Sequence, residues 1–187
     1  MPSGAGSPIA PILGVVPSRD FSLRALYEAL DAERCRRGLS WSQATREINR
    51  QVGPSSGGHR LSPSTVTGTR TRAVAEGDGV LQMLRWLNRT PESFVPGLQE
   101  SEAVDGRLPP APLHQTLRFD SRKLHAALDA QRVRRRMTWA QVATEVGLGV
   151  SSLTHLSKGG RTGFPQVMRV VRWLAQPAAH LVRTTNR

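Results

Sequence analysis

The chain has 187 residues, 38% of them hydrophobic, and a formal net charge of +12 that comes almost entirely from arginine, since Lys123 and Lys158 are its only lysines. Such a positive excess favours a polyanionic partner, with nucleic acid the first candidate. A single cysteine, Cys35, excludes an intrachain disulfide and a cysteine-based zinc site, and no apolar run approaches the roughly 18 residues that span a membrane, so we expect a cytoplasmic protein without a membrane partner.

The predicted elements begin with a disordered N-terminal lead, residues 1–18, and a first helix. Residues 1–18 are rich in Pro, Gly, Ser and Ala, and their apolar patch lacks a basic n-region, so we expect neither a signal peptide nor a folded segment there. The first folded unit spans residues 19–96. It begins with a helix that ends near Gly38 and carries apolar side chains at helical spacing: Leu23, Leu26, Tyr27 and Leu30.

Two further helices with clear start signals follow in this unit. Ser40-Trp41-Ser42-Gln43 has the form of a capping box, in which the serine hydroxyl and the glutamine side chain satisfy backbone N–H groups at a helix start. A Gly- and Pro-rich stretch near 49–60 separates this second helix from a third, which begins at Ser62-Pro63. The third helix buries Val66 and turns small groups outward: Ser64, Gly68 and Thr71. Because Gly68 costs about 1 kcal/mol relative to Ala, we expect this helix to be weak.

A fourth helix, a short fifth helix and a linker complete the first unit. The fourth helix covers Asp78–Leu87, with Trp86 in or at the edge of the core, and the fifth starts at Thr90-Pro91. Residues 97–118 have the Pro-rich composition of a linker. At about 3.3 Å per residue they could extend to roughly 75 Å, which exceeds the roughly 34 Å between successive major-groove faces on one side of DNA.

Residues 119–183 form a second unit with the same order of signals. Its first helix covers Phe119–Arg136, and Thr138-Trp139-Ala140-Gln141 repeats the capping box. After a stop at Gly147, a third helix over Val150–Lys158 turns polar and basic groups away from its apolar side: Ser151, His155 and Lys158. A short helix that holds a second helix with such an outward face is the plan of a helix-turn-helix recognition unit.

Matched residues indicate that the second unit duplicates the first. One group recurs at a constant offset of 98: Leu30-Asp31-Ala32, Arg34, Trp41, Gln43 and Glu47 match Leu128-Asp129-Ala130, Arg132, Trp139, Gln141 and Glu145. Arg85-Trp86-Leu87 recurs as Arg172-Trp173-Leu174 at an offset of 87. The difference of 11 residues assigns an insertion to the stretch near 49–60, and two matched tryptophan pairs make chance a poor explanation.

On these residues the two units resemble the lambda-repressor-like, or XRE, family of helix-turn-helix domains. Beside the capped start, the matching segments are Glu145-Val146-Gly147 and Ser151-Ser152-Leu153-Thr154 in the second unit, and 39–43 and 62–67 in the first. The resemblance implies an all-α chain of two tandem five-helix domains joined by a Pro-rich linker. It also implies that each third helix docks in the major groove of a duplex, in a cytoplasmic, nucleoid-associated regulator of transcription from a bacterium or phage.

The resemblance assigns residues to DNA contacts. The residues that open the third helices are expected to read bases: Ser64, Thr65 and Gly68 in the first unit, and Ser151, Ser152 and His155 in the second. Phosphate contacts fall to the starts of the second helices and to loop cations: Trp41, Gln43, Trp139, Gln141, Arg70, Arg72, Lys158 and Arg161. Two alternatives stay open, because the two glutamines either cap their helices or turn to phosphate, and His155 is either a DNA contact or an ordinary solvated histidine.

Two functions are weighed on these grounds. The first is a sequence-specific regulator of transcription, a repressor before an activator, that binds double-stranded DNA with two unequal units as an intrachain pseudo-dimer. The second is a DNA-binding adaptor or antitoxin-like module whose first unit binds a protein, for which the insertion and Gly68 argue; self-association is a further option. Neither needs a cofactor or metal. An enzyme is the least favoured class, because the histidines fall in no metal-ligand spacing and no Gly-rich phosphate loop follows a strand.

Overall fold

The computed structural model describes residues 20–51, 60–96, 107–110, 112 and 115–185, which fold into helices and one small sheet. Eight α-helices lie within these ranges: α1 (Leu23–Arg36), α2 (Trp41–Arg50), α3 (Pro63–Thr67), α4 (Gly77–Leu87), α5 (Ser121–Arg134), α6 (Trp139–Val146), α7 (Val150–Ser157) and α8 (Phe164–Leu174). Short 3-10 helices accompany them: Gly68–Arg70, Pro91–Phe94 and Ala178–Leu181. Strands β1 (Thr116–Phe119) and β2 (Val182–Thr185) pair antiparallel, with Thr116 opposite Thr185. The described residues of 20–96 are the first half of the molecule, and residues 115–185 are the second half.

Both halves place four α-helices and a final 3-10 helix in the same order, and equivalent helices begin with equivalent caps. Ser22 caps α1, and Asp120, 98 residues later, caps α5; each side chain accepts from the backbone N–H three residues on. The predicted capping boxes at Ser40 and Thr138 are both formed. Helix α6 ends at Gly147 in the left-handed conformation, with φ of 71°, as predicted.

The apolar positions at helical spacing form the core of each half. Four leucines of α1 and α5 are fully buried: Leu26, Leu30, Leu124 and Leu128. Val66 of α3 is also fully buried, and Leu153 and Leu156 of α7 are 1% exposed, so the inward sides of both third helices are as predicted. Each such side chain contributes roughly 1.5–3 kcal/mol relative to full exposure, which is why tertiary packing rather than propensity holds these short helices.

Strand β1 departs from the sequence expectations, which placed 116–118 in the linker and began a helix at Phe119. Leu117 and Phe119 are buried while Arg118 between them is only partly so, which is the alternation of a strand and not of a helix. Asp120 then caps α5, which begins at Ser121, two residues later than expected. The fold is therefore mostly helical, as expected, with one small sheet in addition. The predicted lead at 1–18, and most of the insertion and linker, lie outside the described residues.

The two halves pack against each other through a shared core. Phe164 at the start of α8 is fully buried, and its ring lies 4.6 Å from that of Phe21 in the first half and 5.5 Å from that of Phe119. Two ion pairs flank these rings and join the halves, Arg118 with Asp78 at 2.6 Å and Arg169 with Asp20 at 2.7 Å. The extended separation that a 97–118 linker would allow is not adopted.

Candidate nucleic-acid interface

The predicted base-reading residues of the second half lie on the outward side of α7. Ser151 and His155 are exposed and Ser152 is half-buried, while the two leucines beneath them are buried. The His155 imidazole lies against the backbone of Gly160, where a Cβ atom would overlap the ring. Gly160 thus gives His155 the space to lie between α7 and the loop that follows it. The polar, exposed surface of α7 that the sequence predicts is confirmed.

The corresponding surface of the first half is built differently. Helix α3 has only five residues and continues as the 3-10 helix Gly68–Arg70. Ser64 and Thr65 are tied to the cap, because each hydroxyl lies 2.8 Å from Ser62 Oγ. The guanidinium of Arg72 lies beside Gly68, with its Nε 3.1 Å from where a Cβ of that glycine would be. The missing side chain at Gly68 therefore gives room to a cation, so the surface stays polar and positive.

The starts of α2 and α6 settle the alternatives for the two glutamines. Gln43 Oε1 accepts from the backbone N–H of Ser40 at 2.8 Å, and Gln141 Oε1 accepts from that of Thr138 at 2.8 Å. Both glutamines are therefore caps, and only their exposed amide NH₂ groups remain free for a phosphate. Neither residue lies in the cleft described below.

The indoles of Trp41 and Trp139 are packing groups. Trp41 stacks on Tyr27 at 5.3 Å between ring centroids, and the Arg34 guanidinium lies 4.7 Å from its ring. The second half repeats this arrangement with other residues: His125 stacks on Trp139 at 4.9 Å, and Arg132 lies 5.1 Å from the indole. Their rings join α1 to α2 and α5 to α6, so a phosphate contact at these positions would use the backbone N–H.

A repeated cluster of arginine, glutamate and tryptophan, which was not predicted from the sequence, fixes the fourth helices. In the second half, Arg135 binds Glu145 with two hydrogen bonds of 2.7 and 3.0 Å, and the Trp173 indole N–H donates to the same carboxylate at 2.8 Å. Trp173 and Arg135 together lower the pKa of Glu145. The first half has the same cluster: Arg37, Glu47 and Trp86. These arginines serve the fold and are not free for DNA.

A cleft of about 1150 Å³ lies between the two halves, and we name it the central cleft. Seven cationic side chains line it: Arg72, Arg118, Arg122, Lys123, Lys158, Arg161 and Arg183. Three carboxylates line it as well: Glu76, Asp78 and Asp120. The cations come from the loop after α3, from both strands, from the start of α5, and from the segment after α7, so neither half forms this surface alone.

Four cations of the central cleft make no ion pair with the described part of the chain. The other three each face one carboxylate: Arg118 lies 2.6 Å from Asp78, Arg161 4.0 Å from Glu76, and Arg183 3.9 Å from Asp120. The remaining four are Arg72, Arg122, Lys123 and Lys158. A concave surface that carries unpaired cations concentrates positive potential and suits an anionic ligand.

The structure brings together three of the residues predicted as phosphate anchors and places beside them two cations that were not predicted. Arg72, Lys158 and Arg161 all line the central cleft, whereas Arg70 lies outside it, 5.9 Å from the Tyr27 ring. The missed cations are Arg122 and Lys123 in the first turn of α5. Their position could have revealed them. The helix dipole favours anions at the N-terminus of a helix, so two cations in the first turn are not explained by stabilisation of the helix.

Neither a metal-binding cluster nor a membrane-spanning helix is found among the described residues. They contain no group of three or more His, Cys, Asp or Glu side chains that could hold a metal ion. No described helix is long and apolar enough to cross a membrane.

Comparison of the chain with protein-family models, curated proteins and solved structures gives no match. The function is therefore inferred from the geometry of the two halves and of the cleft between them.

Proposed function

We propose that the chain is a sequence-specific regulator of transcription that binds double-stranded DNA through two unequal helix-turn-helix units, α2–α3 and α6–α7. One observation carries the proposal: both halves hold a short helix with small polar groups outward beside a single cleft, and that cleft takes unpaired cations from both halves. This combination matches the two needs of DNA recognition, since phosphate contacts position a protein and base contacts give specificity.

The two kinds of contact fall on different residues. In the second half Ser151, Ser152 and His155 present hydroxyl and imidazole groups that can reach base edges in the major groove. In the first half the hydroxyls of Ser64 and Thr65, held by their cap, take the same role, while Arg72 beside Gly68 belongs to the phosphate contacts. The unpaired cations of the central cleft take the phosphates. A chain bound across a promoter excludes polymerase by its bulk, so repression is the proposed outcome.

The surface around Gly68 favours DNA over a protein partner for the first half. A protein-binding surface there would be expected to be apolar, yet Arg72 lies beside the glycine, and the exposed Ser64 and Arg70 are its neighbours. If the first half bound only a protein, replacing Arg70 and Arg72 with Gln would leave DNA affinity unchanged. We expect instead a loss comparable to that of the Lys158→Gln, Arg161→Gln pair.

The test of the proposed function is selection of bound duplexes from a random pool with the full chain. We expect one enriched motif, and we expect Ser151→Ala with His155→Ala to relax a different part of it than Ser64→Ala with Thr65→Ala does. Arg72→Gln with Lys158→Gln should instead weaken binding to all sequences and reduce the slope of log affinity against log salt by about two. Selection that enriches no motif would overturn the proposal.

A further inference from the structure

The contacts between the halves join residues that occupy equivalent positions in the repeat. Glu76 and Gly163 are equivalent at the offset of 87, and they form an antiparallel β-bridge with each other. The final 3-10 helices, Pro91–Phe94 and Ala178–Leu181, are also equivalent, and Glu92 Oε1 accepts from the Ala178 N–H at 2.7 Å. A contact of a segment with its own counterpart is typical of a two-fold relation.

Other contacts across the junction occur as reciprocal pairs. Phe21 and Phe119 are equivalent at the offset of 98; Phe21 contacts Phe164 of the second half, and Phe119 lies against Gly77 of the first. Gly77 and Phe164 are themselves equivalent, and each opens the fourth helix of its half. The phenylalanine that precedes the first helix of each half therefore contacts the start of the fourth helix of the other half. A head-to-tail arrangement would not give such reciprocal contacts.

The residues that precede these phenylalanines also contact the fourth helix of the other half. Asp20 binds Arg169 on α8, and its equivalent Arg118 binds Asp78 on α4; the two partners lie about one helical turn apart in the repeat, so the correspondence is between helices and not between single residues. Asp20 raises the pKa of Arg169, as expected for a close ion pair. The halves are therefore related by a pseudo-two-fold axis that passes near Glu76 and Gly163.

The two recognition segments are α3 with the 3-10 helix Gly68–Arg70, and α7; chain length bounds the distance of each from this axis. Six residues lead from Arg70 to Glu76, and six lead from Ser157 to Gly163. At about 3.3–3.6 Å per residue each path reaches at most about 22 Å, and bridged residues lie about 5 Å apart, so the ends of the two segments lie within about 50 Å of each other. That range includes one turn of DNA, about 34–36 Å, and excludes two turns, about 70 Å.

The chain that follows each recognition segment borders the same cleft. Arg72 lies two residues beyond the first segment and Lys158 directly follows the second, and both line the central cleft. Arg122 and Lys123 lie in that cleft between them. One duplex laid over the cleft would therefore meet both segments.

Building on the proposed function, we infer that the DNA partner carries two unlike half-sites in inverted orientation, with centres about one helical turn apart. The two-fold relation sets the inversion, the short paths to the axis allow a spacing of one turn and exclude two turns, and the different side chains of α3 and α7 make the half-sites unlike. The phosphates between the half-sites lie in the central cleft, against Arg72, Arg122, Lys123 and Lys158.

The experiment measures the affinity of the full chain for duplexes that contain the two selected half-sites in different arrangements. Affinity should be highest for one inverted spacing, and inserting 5 base pairs or reversing one half-site should weaken binding about 100-fold, to the level of a single half-site, because linkage of the two contacts is lost. Half-sites bound equally well in every arrangement would overturn this inference alone, whereas failure to select any half-site would overturn the proposed function and this inference with it.

A second arm tests the cleft. Arg122→Gln with Lys123→Gln should reduce the salt slope by about two, whereas the matched pair Arg24→Gln with Arg107→Gln, which lies outside the cleft, should not. Equal changes for the two pairs would show that the central cleft does not hold the phosphates.

Discussion

The two halves of the molecule differ far more on their outward surfaces than in the contacts that hold their helices. Both keep a capped second helix, an arginine stacked on the second-helix tryptophan, and an arginine–glutamate–tryptophan cluster under the fourth helix. By contrast, α7 has eight residues and carries His155. Helix α3 has five, and the position equivalent to His155 is Gly68, beside which the Arg72 side chain lies. The scaffold is duplicated, and the surface proposed to read DNA is not.

A second difference lies at the junction, where equivalent positions carry opposite charges. Asp20 in the first half and Arg118 in the second each face an opposite charge, Arg169 and Asp78. Two first halves would place Asp20 near Asp78 and Gln82, and two second halves would place Arg118 near Pro165 and Arg169, so neither pairing of like halves would keep these ion pairs and each would bring like charges together. The charges therefore favour pairing of unlike halves within one chain over self-association through this face.

The largest expected effect comes from removing the ring that joins the halves. Phe164→Ala should lower the free energy of unfolding by about 3–5 kcal/mol, because the residue is fully buried between rings of both halves. Hydrogen exchange should then speed up in α1 as well as in α5, since each half loses part of its core. The exposed Val133→Ala serves as the control, with an expected change within about 0.5 kcal/mol. Faster exchange in the second half alone would mean that the halves are independent.

A smaller effect on DNA binding is expected from glycine substitutions that test the two outward surfaces one at a time. Gly160→Ala should push the His155 ring off the loop and weaken binding of the selected duplex about tenfold, equivalent to about 1.4 kcal/mol, at the second half-site only. Gly68→Ala should move Arg72 and act at the first half-site. Gly149→Ala is the control, because its Cβ would meet Ser151 Oγ at an ordinary 3.6 Å. If the control lost as much affinity as Gly160→Ala, the position of His155 would not matter.

The smallest effect concerns the pH dependence of the cluster at Glu145. Its pKa is lowered in the folded state by Trp173 and Arg135, so the ionised form stabilises the fold at and above its ordinary pKa of 4.5, and that contribution is lost as the pH falls through the lowered value. Glu145→Gln should therefore be less stable than the parent at pH 7, by a small margin because the pair is largely exposed, and the difference should shrink toward pH 3. Chemical denaturation at both pH values checks this, and a difference that grew in acid would contradict it.

Local signals predicted most of the helical structure, while long-range pairing decided what they missed. The capping boxes at Ser40 and Thr138, the stop at Gly147 and the inward leucines all follow from residues within one turn of each other. Strand β1 depends on pairing with β2, which lies more than 60 residues later. A run of four residues beside a Pro-rich stretch contains no local signal that predicts this pairing.

The candidate site divides in the same way. Exposure of Ser151 and His155 could be predicted, because helical periodicity fixes the side of a helix on which a residue lies. The central cleft could not, because it exists only where the halves meet, and residue spacing within one half carries no information about that contact. The roles of Gly68 and Gly160 also depend on side chains four or five residues away, Arg72 and His155, whose rotamers the sequence leaves open.

The most direct test of sequence-specific DNA binding is a competition between the selected duplex and a shuffled duplex of the same length and composition, at physiological salt. The account predicts that the full chain binds the selected duplex at least about a thousandfold more tightly. Equal affinity for the two duplexes would mean that the positive charge binds DNA without reading it, and would contradict the account.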